Sequence, residues 1–304
     1  MQKIQTKNIT WIDIQNPTDS DIELLKKEHG VHGIVLEQLR QPSIRPAVEQ
    51  YPHYLYLIMH FPIFNAEKRT SQSTEVDFII FKDIVITVHY NEVGPLKDTF
   101  NKCNHDEDYR LMCVGENSGQ LIYHIIHDLL VFSLRELDHI RKNIENIENA
   151  IFSGQEEEMV REISIVHRDV LNFYRTVRPE RGTLESLEAR SDAWFDKKEK
   201  PFFTDLVGDY MKVWNLLESY KDTLESLQNT NNSLISDRTN KIVKTLTILS
   251  VALMPPALMI SIFSNNFIFY RSYWNIPLEA LVIIILTPLS VFVSFAIFRY
   301  KKWL

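Results

Sequence analysis

The chain has 304 residues, a formal net charge of −7 and 45% hydrophobic residues, enough for a folded domain with something smaller attached. The charge is uneven: residues 245–304 carry Arg271, Arg299, Lys301 and Lys302 against Glu279, a net +3, which leaves −10 on residues 1–244. An acidic body disfavours nonspecific nucleic-acid binding and attracts cations, while two cysteines, Cys103 and Cys113, make neither a disulfide framework nor a CxxC metal motif and suit a reducing compartment.

The opening MQKIQTKNITWIDIQN has no apolar core of signal-peptide length, so membrane insertion is expected further along. WIDI (11–14), YLYLIMHF (54–61), VDFIIF (76–81) and DIVITVH (83–89) are rich in β-branched and aromatic residues and predict strands, with turns around 65–73 and at Lys82-Asp83. SDIELLKKEHG (20–30) predicts a short amphipathic helix stopped by Gly30, with another helix around 34–39. Together these predict an α/β domain over residues 1–118.

From about residue 120 the apolar positions switch to three- and four-residue spacing. LIYHIIHDLLVFSLRELDHIRKNIENIENAIF (121–152) predicts one long helix. A second is expected over 157–174, interrupted near Arg178-Pro179 and Gly182. A third starts after Pro201, and no multi-residue Gly/Pro breaker separates it from the apolar region. A helix from 203 to 263 would be about 90 Å long, a stalk. Residues 119–241 are therefore expected to form a helical section and stalk.

Residues 245–270 and 280–298 contain no formal charge, and either run is near the length needed to cross roughly 30 Å of hydrocarbon. Pro255, Pro256 and Pro288 are compatible with membrane helices, where neighbours satisfy the freed carbonyls. Lys241 and Lys244 precede the first run, and Arg299, Lys301 and Lys302 follow the second. The positive-inside bias then places the large N-terminal domain and the C-terminus in the cytoplasm, with residues 265–279 outside. Residues 242–304 read as a hairpin of two transmembrane helices in the lipid bilayer of a cell membrane, the inner membrane in a bacterial cell. One such hairpin has little room for a hydrated path, so conduction would require several subunits around an axis; an anchored soluble domain would not.

The stretch NKIVKTLTILSVALMPPALMISIFSNNF (240–267) resembles the pore-lining helix of the CorA family of divalent-cation channels, and the terminal YKKWL is also similar to members of that family. The match is strongest over 201–304, and the order of parts agrees over nearly the whole chain. The resemblance implies a funnel-shaped homopentamer with the first span around a central pore. The family's Gly-Met-Asn signature falls on Ser264, Asn265 and Asn266, so the last Asn is retained. In the family that Asn forms an entrance ring that recognises a hydrated cation, which suits Mg2+ because Mg2+ dehydrates reluctantly. By the same resemblance Asn240 is a polar ring near the cytoplasmic end, Leu246 and Met254 are apolar constrictions that gate by dewetting, and Ala257 replaces a threonine of some family pores. NIPLE (275–279) carries its acid displaced from the family's external loop.

KPFFTDLVGDYMKVW (200–214) resembles a cytosolic segment whose aspartate senses intracellular Mg2+ at a subunit boundary; Asp205 is the match, Gly208 stands where some members carry a second acid, and Asp98 in PLKDTF is the weaker candidate for the partner. The resemblance thus implies a passive, gated channel with Mg2+ as substrate and regulatory ligand. Transport of Co2+, Ni2+ or Zn2+ and a non-conducting membrane-anchored scaffold are the alternatives. Walker loops, dinucleotide-binding glycines, nucleophile elbows and HExxH are absent from the sequence, so no enzyme reaction is expected and the electrical potential can drive cation uptake. YHIIHD also sets His124, His127 and Asp128 on one helix, a weak transition-metal constellation with surface packing as the plainer reading. Glu156–Glu158 read as a solvated face or cap.

Overall fold

A computed structural model of the chain describes residues 1–195, 197–264 and 278–300. Its contacts divide into two compact units, Met1–Asn229 and Thr230–Leu304.

The first unit is built on a six-stranded sheet, comprising β1 (Gln2–Gln5), β2 (Thr10–Gln15), β3 (Ala47–Gln50), β4 (Leu55–Asn65), β5 (Thr70–Ile80) and β6 (Ile84–His89). Their order is β1-β2-β6-β5-β4-β3, with β2 and β6 parallel and every other pair antiparallel. Register fixes which residues share a face. Ile12, Ile86, Ile79 and Tyr56 form one cross-strand row, and Asp13, Thr87, Phe78 and Leu57 form the next, pointing the other way. The first row lies in a core with Ile22 and Leu25 of helix α1 (Asp19–His29), Val35 of α2 (Gly33–Gln38) and Leu39, which caps the end of α2. Both faces are buried, which is why the central strands read as continuous apolar runs.

Helix ends follow local chemistry. Thr18 and Asp21 make a capping box at the start of α1, and Gly30 closes it at φ 63°, a left-handed conformation that glycine adopts without Cβ strain. Helices α3 (Gly94–His105) and α4 (Glu107–Val114) fill a stretch for which the sequence made no prediction; Trp11 of β2 meets Phe100 of α3 edge-on at 4.9 Å. Asn117 caps α5 (Ser118–Phe152), whose buried stripe runs from Leu121 and Ile125 to Ile147 and Ile151. Three acids in the first turn of α6 (Glu156–Val177) complement the helix dipole. α7 (Glu180–Trp194) follows after Arg178-Pro179, and Gly182 sits inside it rather than interrupting it.

The expected turn over 65–73 is also shorter than predicted. Only 66–69 turn, because Ser71–Ser73 pair with Ile63, Phe64 and Pro62 in an extended β4–β5 hairpin. This hairpin overruns β3, whose last pairing is Ala47 with Ile58. Carboxylates from three helices take the amides left on the overhang: Glu180 Oε1 accepts from His60 N at 2.8 Å, Glu136 Oε2 from Phe64 N at 2.7 Å, and Asp169 Oδ1 from Ser71 N at 2.5 Å. A buried amide without such a partner is costly.

α8 (Lys200–Ser264) is a single 65-residue helix that contains Pro255 and Pro256. Within the first unit it buries Phe203, Leu206, Tyr210, Val213, Leu217, Leu224 and Leu227, a seam of alternating three- and four-residue steps. In the second unit α8 exposes its apolar side chains, and α9 (Leu278–Tyr300) follows with Pro288 inside it.

Candidate ion-handling sites

α8 changes character along its length. The helical run Lys197–Leu258 holds an 18-residue window with mean hydropathy 1.4, none of it buried, and is long and apolar enough to cross a membrane. The polar side chains in the apolar part are satisfied within the helix: Thr245 Oγ1 donates to the Lys241 carbonyl at 2.9 Å, Thr247 to Val243 at 2.8 Å and Ser250 to Leu246 at 2.9 Å. That pattern suits a helix surrounded by hydrocarbon, where an unsatisfied hydroxyl has no water to turn to. The described apolar part of α9, Ile285–Tyr300, is shorter.

The pore residues expected on α8 lie along this segment. Asn240 is exposed, and Leu246 and Met254 are 61% and 64% exposed, so their side chains are available to surroundings other than their own chain. Ser264 is the last residue of α8. Asn265 and Asn266 lie outside the described residues, as does NIP of the NIPLE stretch.

The expected regulatory residues lie on different helices of the chain. Asp98 is exposed on α3. Asp205 is exposed on α8 and, within the chain, gathers with His127 of α5 and Asp209 of α8; one ligand atom from each lies within 4.8 Å of the others. Two parallel rungs create this meeting. Tyr123 and His127 are one turn apart on α5, Asp205 and Asp209 are one turn apart on α8, and the first of each pair faces the first, the second the second. The Tyr123 hydroxyl donates to Asp205 Oδ2 at 2.8 Å, and His127 Nδ1 lies 2.6 Å from Asp209 Oδ2. Because the carboxylate accepts, Nδ1 carries the proton in this contact.

Aromatic stacking holds the α5 rung in place: Tyr123 packs on Phe202 at 4.8 Å and on His127 at 5.6 Å. Burial, then the hydrogen bond to Asp205, pushes the Tyr123 phenol up to about 12, so it stays a donor at neutral pH. Asp209 is buried, and its other oxygen is held by Lys212 Nζ at 2.7 Å.

The constellation of His124, His127 and Asp128 is not assembled. Asp128 Oδ2 is occupied by the hydroxyls of Thr99 at 2.7 Å and Tyr109 at 3.2 Å, which draws it away from both histidines. His127 finds its carboxylate on another helix. Asp209 was missed by sequence reasoning; its signal was the four-residue spacing from Asp205, matched by Tyr123 and His127, but only the docking of α5 on α8 joins the two pairs.

Fold and segment together define a class: an α/β protein whose long helix runs on into an unburied, membrane-length apolar stretch. Residues 6–301 match the family described as CorA-like Mg2+ transporter protein, and the chain belongs to that family, whose members transport divalent cations and are not enzymes. The cobalt/magnesium transport protein CorA of Thermotoga maritima is 24% identical over 300 residues, covering 97% of this chain and 83% of that protein. The protein of the same description from Methanocaldococcus jannaschii is 22% identical over 296 residues, covering 97% and 92%. Among solved structures, the complete CorA magnesium transporter from M. jannaschii shares the fold with a TM-score of 0.84 at 20% identity, covering 100% of this chain and 95% of that one. The full-length CmaX protein gives 0.68 at 15% identity, covering 97% and 89%.

Proposed function

We infer that the protein is a passive, gated divalent-cation channel of the cell membrane that admits Mg2+ through the central pore of a homopentamer. The observation that carries this reading is the unburied apolar length of α8 in a chain that matches the transporter family almost end to end. Two spans per subunit, with the large N-terminal domain and the C-terminus on the cytoplasmic side, leave Ser264, Asn265 and Asn266 at the outer mouth. There, neutral oxygens accept hydrogen bonds from the cation's water shell and hold it weakly enough for release. Leu246 and Met254 form apolar rings further in; when they narrow, water leaves and a hydrated ion meets an electrostatic barrier. Asn240 supplies a polar ring at the cytoplasmic end. The membrane potential, worth about 2.3 kcal/mol per elementary charge per 100 mV, drives a divalent ion inward without hydrolysis.

Assembly is the direct test. Native mass measurement in lipid nanodiscs gives a mass of five 35.8-kDa chains; a fully active monomer or dimer would overturn the pore.

Closure is assigned to Asp205 with Asp98 of a neighbouring subunit, whose mutual repulsion bound Mg2+ cancels. Replacing Asp205 with Ala therefore raises the internal Mg2+ concentration needed for half-closure by about tenfold, equivalent to roughly 1.4 kcal/mol of lost coordination. Flux traces at controlled internal Mg2+ read this shift, and superimposable curves for wild type and D205A would remove Asp205 from the switch.

A further inference from the structure

We propose that the cavity between helix α3 and the carboxyl ends of β2 and β6 binds a small zwitterion of the amino-acid class, its ammonium on Asp13 and its carboxylate on His89 and Lys97. β2 and β6 are parallel neighbours, with Gln15 opposite His89 at their ends. From those ends the chain departs to opposite faces of the sheet. After β2 it enters α1, which packs on Ile12 and Ile14; after β6 it enters α3, whose Phe100 meets Trp11 on the other face. Adjacent parallel strands whose connections part in this way leave a crevice beyond their carboxyl ends, the place where open α/β sheets receive ligands. The crevice here is a partly enclosed cavity of about 250 Å³, at the lower end of small-molecule sites and suited to a ligand of amino-acid size. Asp13, Gln15 and His89 form its floor. Val93 at the cap of α3 and Lys97 and Phe100 within it follow at four- and three-residue steps and form one wall.

The floor is held ready by bonds made beneath it. Trp11 Nε1 donates to Thr87 Oγ1 at 3.1 Å, and that hydroxyl donates in turn to Asp13 Oδ1 at 2.5 Å, which leaves Asp13 Oδ2 facing His89. His89 Nδ1 lies 2.5 Å from the Asn91 carbonyl, an acceptor only, so this nitrogen carries a proton. Burial pushes the imidazole down, but the hydrogen bond to Asp13 outweighs it and holds the ring above its ordinary value. Nε2 stands 3.4 Å from Asp13 Oδ2, beyond the roughly 2.7–2.9 Å of a well-made charge-assisted bond. The pair is loose and keeps one donor and one acceptor for a guest. A second pair, Lys97 Nζ with Glu92 Oε1 at 2.6 Å, stands exposed at the rim. Charges of both signs select the ligand. A simple anion would face the carboxylates of Asp13 and Glu92, and a simple cation would face His89 and Lys97. A molecule with ammonium and carboxylate on one carbon answers both: the ammonium donates to Asp13 Oδ2, and the carboxylate accepts from His89 Nε2 and from Lys97, which swings across from Glu92. The first turn of α3, without a side-chain cap at Val93, adds partial positive charge for the carboxylate. Val93 and Phe100 offer an aliphatic side chain an apolar wall.

The test is isothermal calorimetry of the full chain in detergent with L-leucine and L-methionine, beside isocaproate, isoamylamine and inorganic phosphate. Isocaproate is leucine without its ammonium, and isoamylamine is leucine without its carboxylate. At least one of the two amino acids binds, one per chain, with a Kd below about 1 mM, and both leucine fragments bind about tenfold or more weakly. Asp13→Asn weakens the amino acid by about tenfold and Lys97→Met by about fivefold. D13N alters a buried bond, so its fold is compared with wild type by circular dichroism; K97M changes only an exposed side chain and reads the site without that risk. No heat from either amino acid at about 10 mM would overturn the site. So would isocaproate, isoamylamine or phosphate binding as tightly as the amino acids, or a Kd unchanged in K97M or in folded D13N.

Discussion

Glu180→Ala destabilises the first unit by about 3–5 kcal/mol, the cost of breaking a buried charge pair by removing one member. Glu180 is 3% exposed at the first residue of α7, where the helix dipole favours a carboxylate. Its Oε1 accepts from the His60 amide at 2.8 Å and lies 3.7 Å from His60 Nδ1, while His60 Nε2 sits 3.3 Å from Glu75 Oε2. Burial alone would push the His60 imidazole down, but the neighbouring carboxylates of Glu180 and Glu75 outweigh it and raise it to about 10, while burial in turn lifts the Glu180 carboxyl to about 7. The folded chain therefore holds this proton more tightly than the unfolded chain. The resulting stability is fully present below the unfolded histidine value of about 6.5 and is lost as pH rises through the folded value. Chemical denaturation of the full chain, read by tryptophan fluorescence, shows wild type weakening between neutral pH and about pH 10 and E180A with a much flatter profile. Glu180→Gln retains an acceptor for the amide and loses less than E180A. Equal midpoints for wild type and E180A would mean that the triad contributes nothing.

Asn266→Ala reduces Mg2+ flux by more than about tenfold while leaving assembly intact. Each lost amide acceptor is worth roughly 0.5–1.5 kcal/mol, and symmetry deletes one from every subunit at once, so the total exceeds the 1.4 kcal/mol that corresponds to a tenfold change. Asn265→Ala costs less and alters the competition between Mg2+ and Co2+. Reconstituted vesicles, with flux normalised to correctly assembled protein, measure both ions. Unchanged rates and unchanged competition in N266A would assign the Ser-Asn-Asn stretch to a turn and return weight to a scaffold.

The parts of the fold that were legible in the sequence share a physical reason. β4, β5 and β6 are buried on both faces and α5 carries an unbroken apolar stripe, so composition and spacing alone identify them. β1 and β3 are four-residue edge strands with few buried side chains, and nothing in QKIQ or AVEQ separates them from loop. α3 and α4 are short and mixed in polarity, and they owe their existence to packing beneath β2 and α5 rather than to periodicity. For the site, Asp205 was legible through its resemblance to a family segment, and His127 as a residue type capable of binding metal. Their meeting was not, because it depends on the register of two helices whose contacting residues are 82 apart in sequence, and Asp128, the carboxylate next to His127 in sequence, is claimed by two hydroxyls.

The overhanging β4–β5 hairpin has a consequence for how the chain is made. Ribosomes deliver Leu55–Ile80 well before Glu136, Asp169 and Glu180, the carboxylates that cover its loose amides. At roughly 5–20 residues per second, the hairpin waits about 5–20 s for the last of them, an uncovered ladder able to pair with another nascent chain. Synthesis stalled between Ile80 and Glu180 thus leaves the strand pair sticky, and protection comes late, from the helices, in the order in which they emerge.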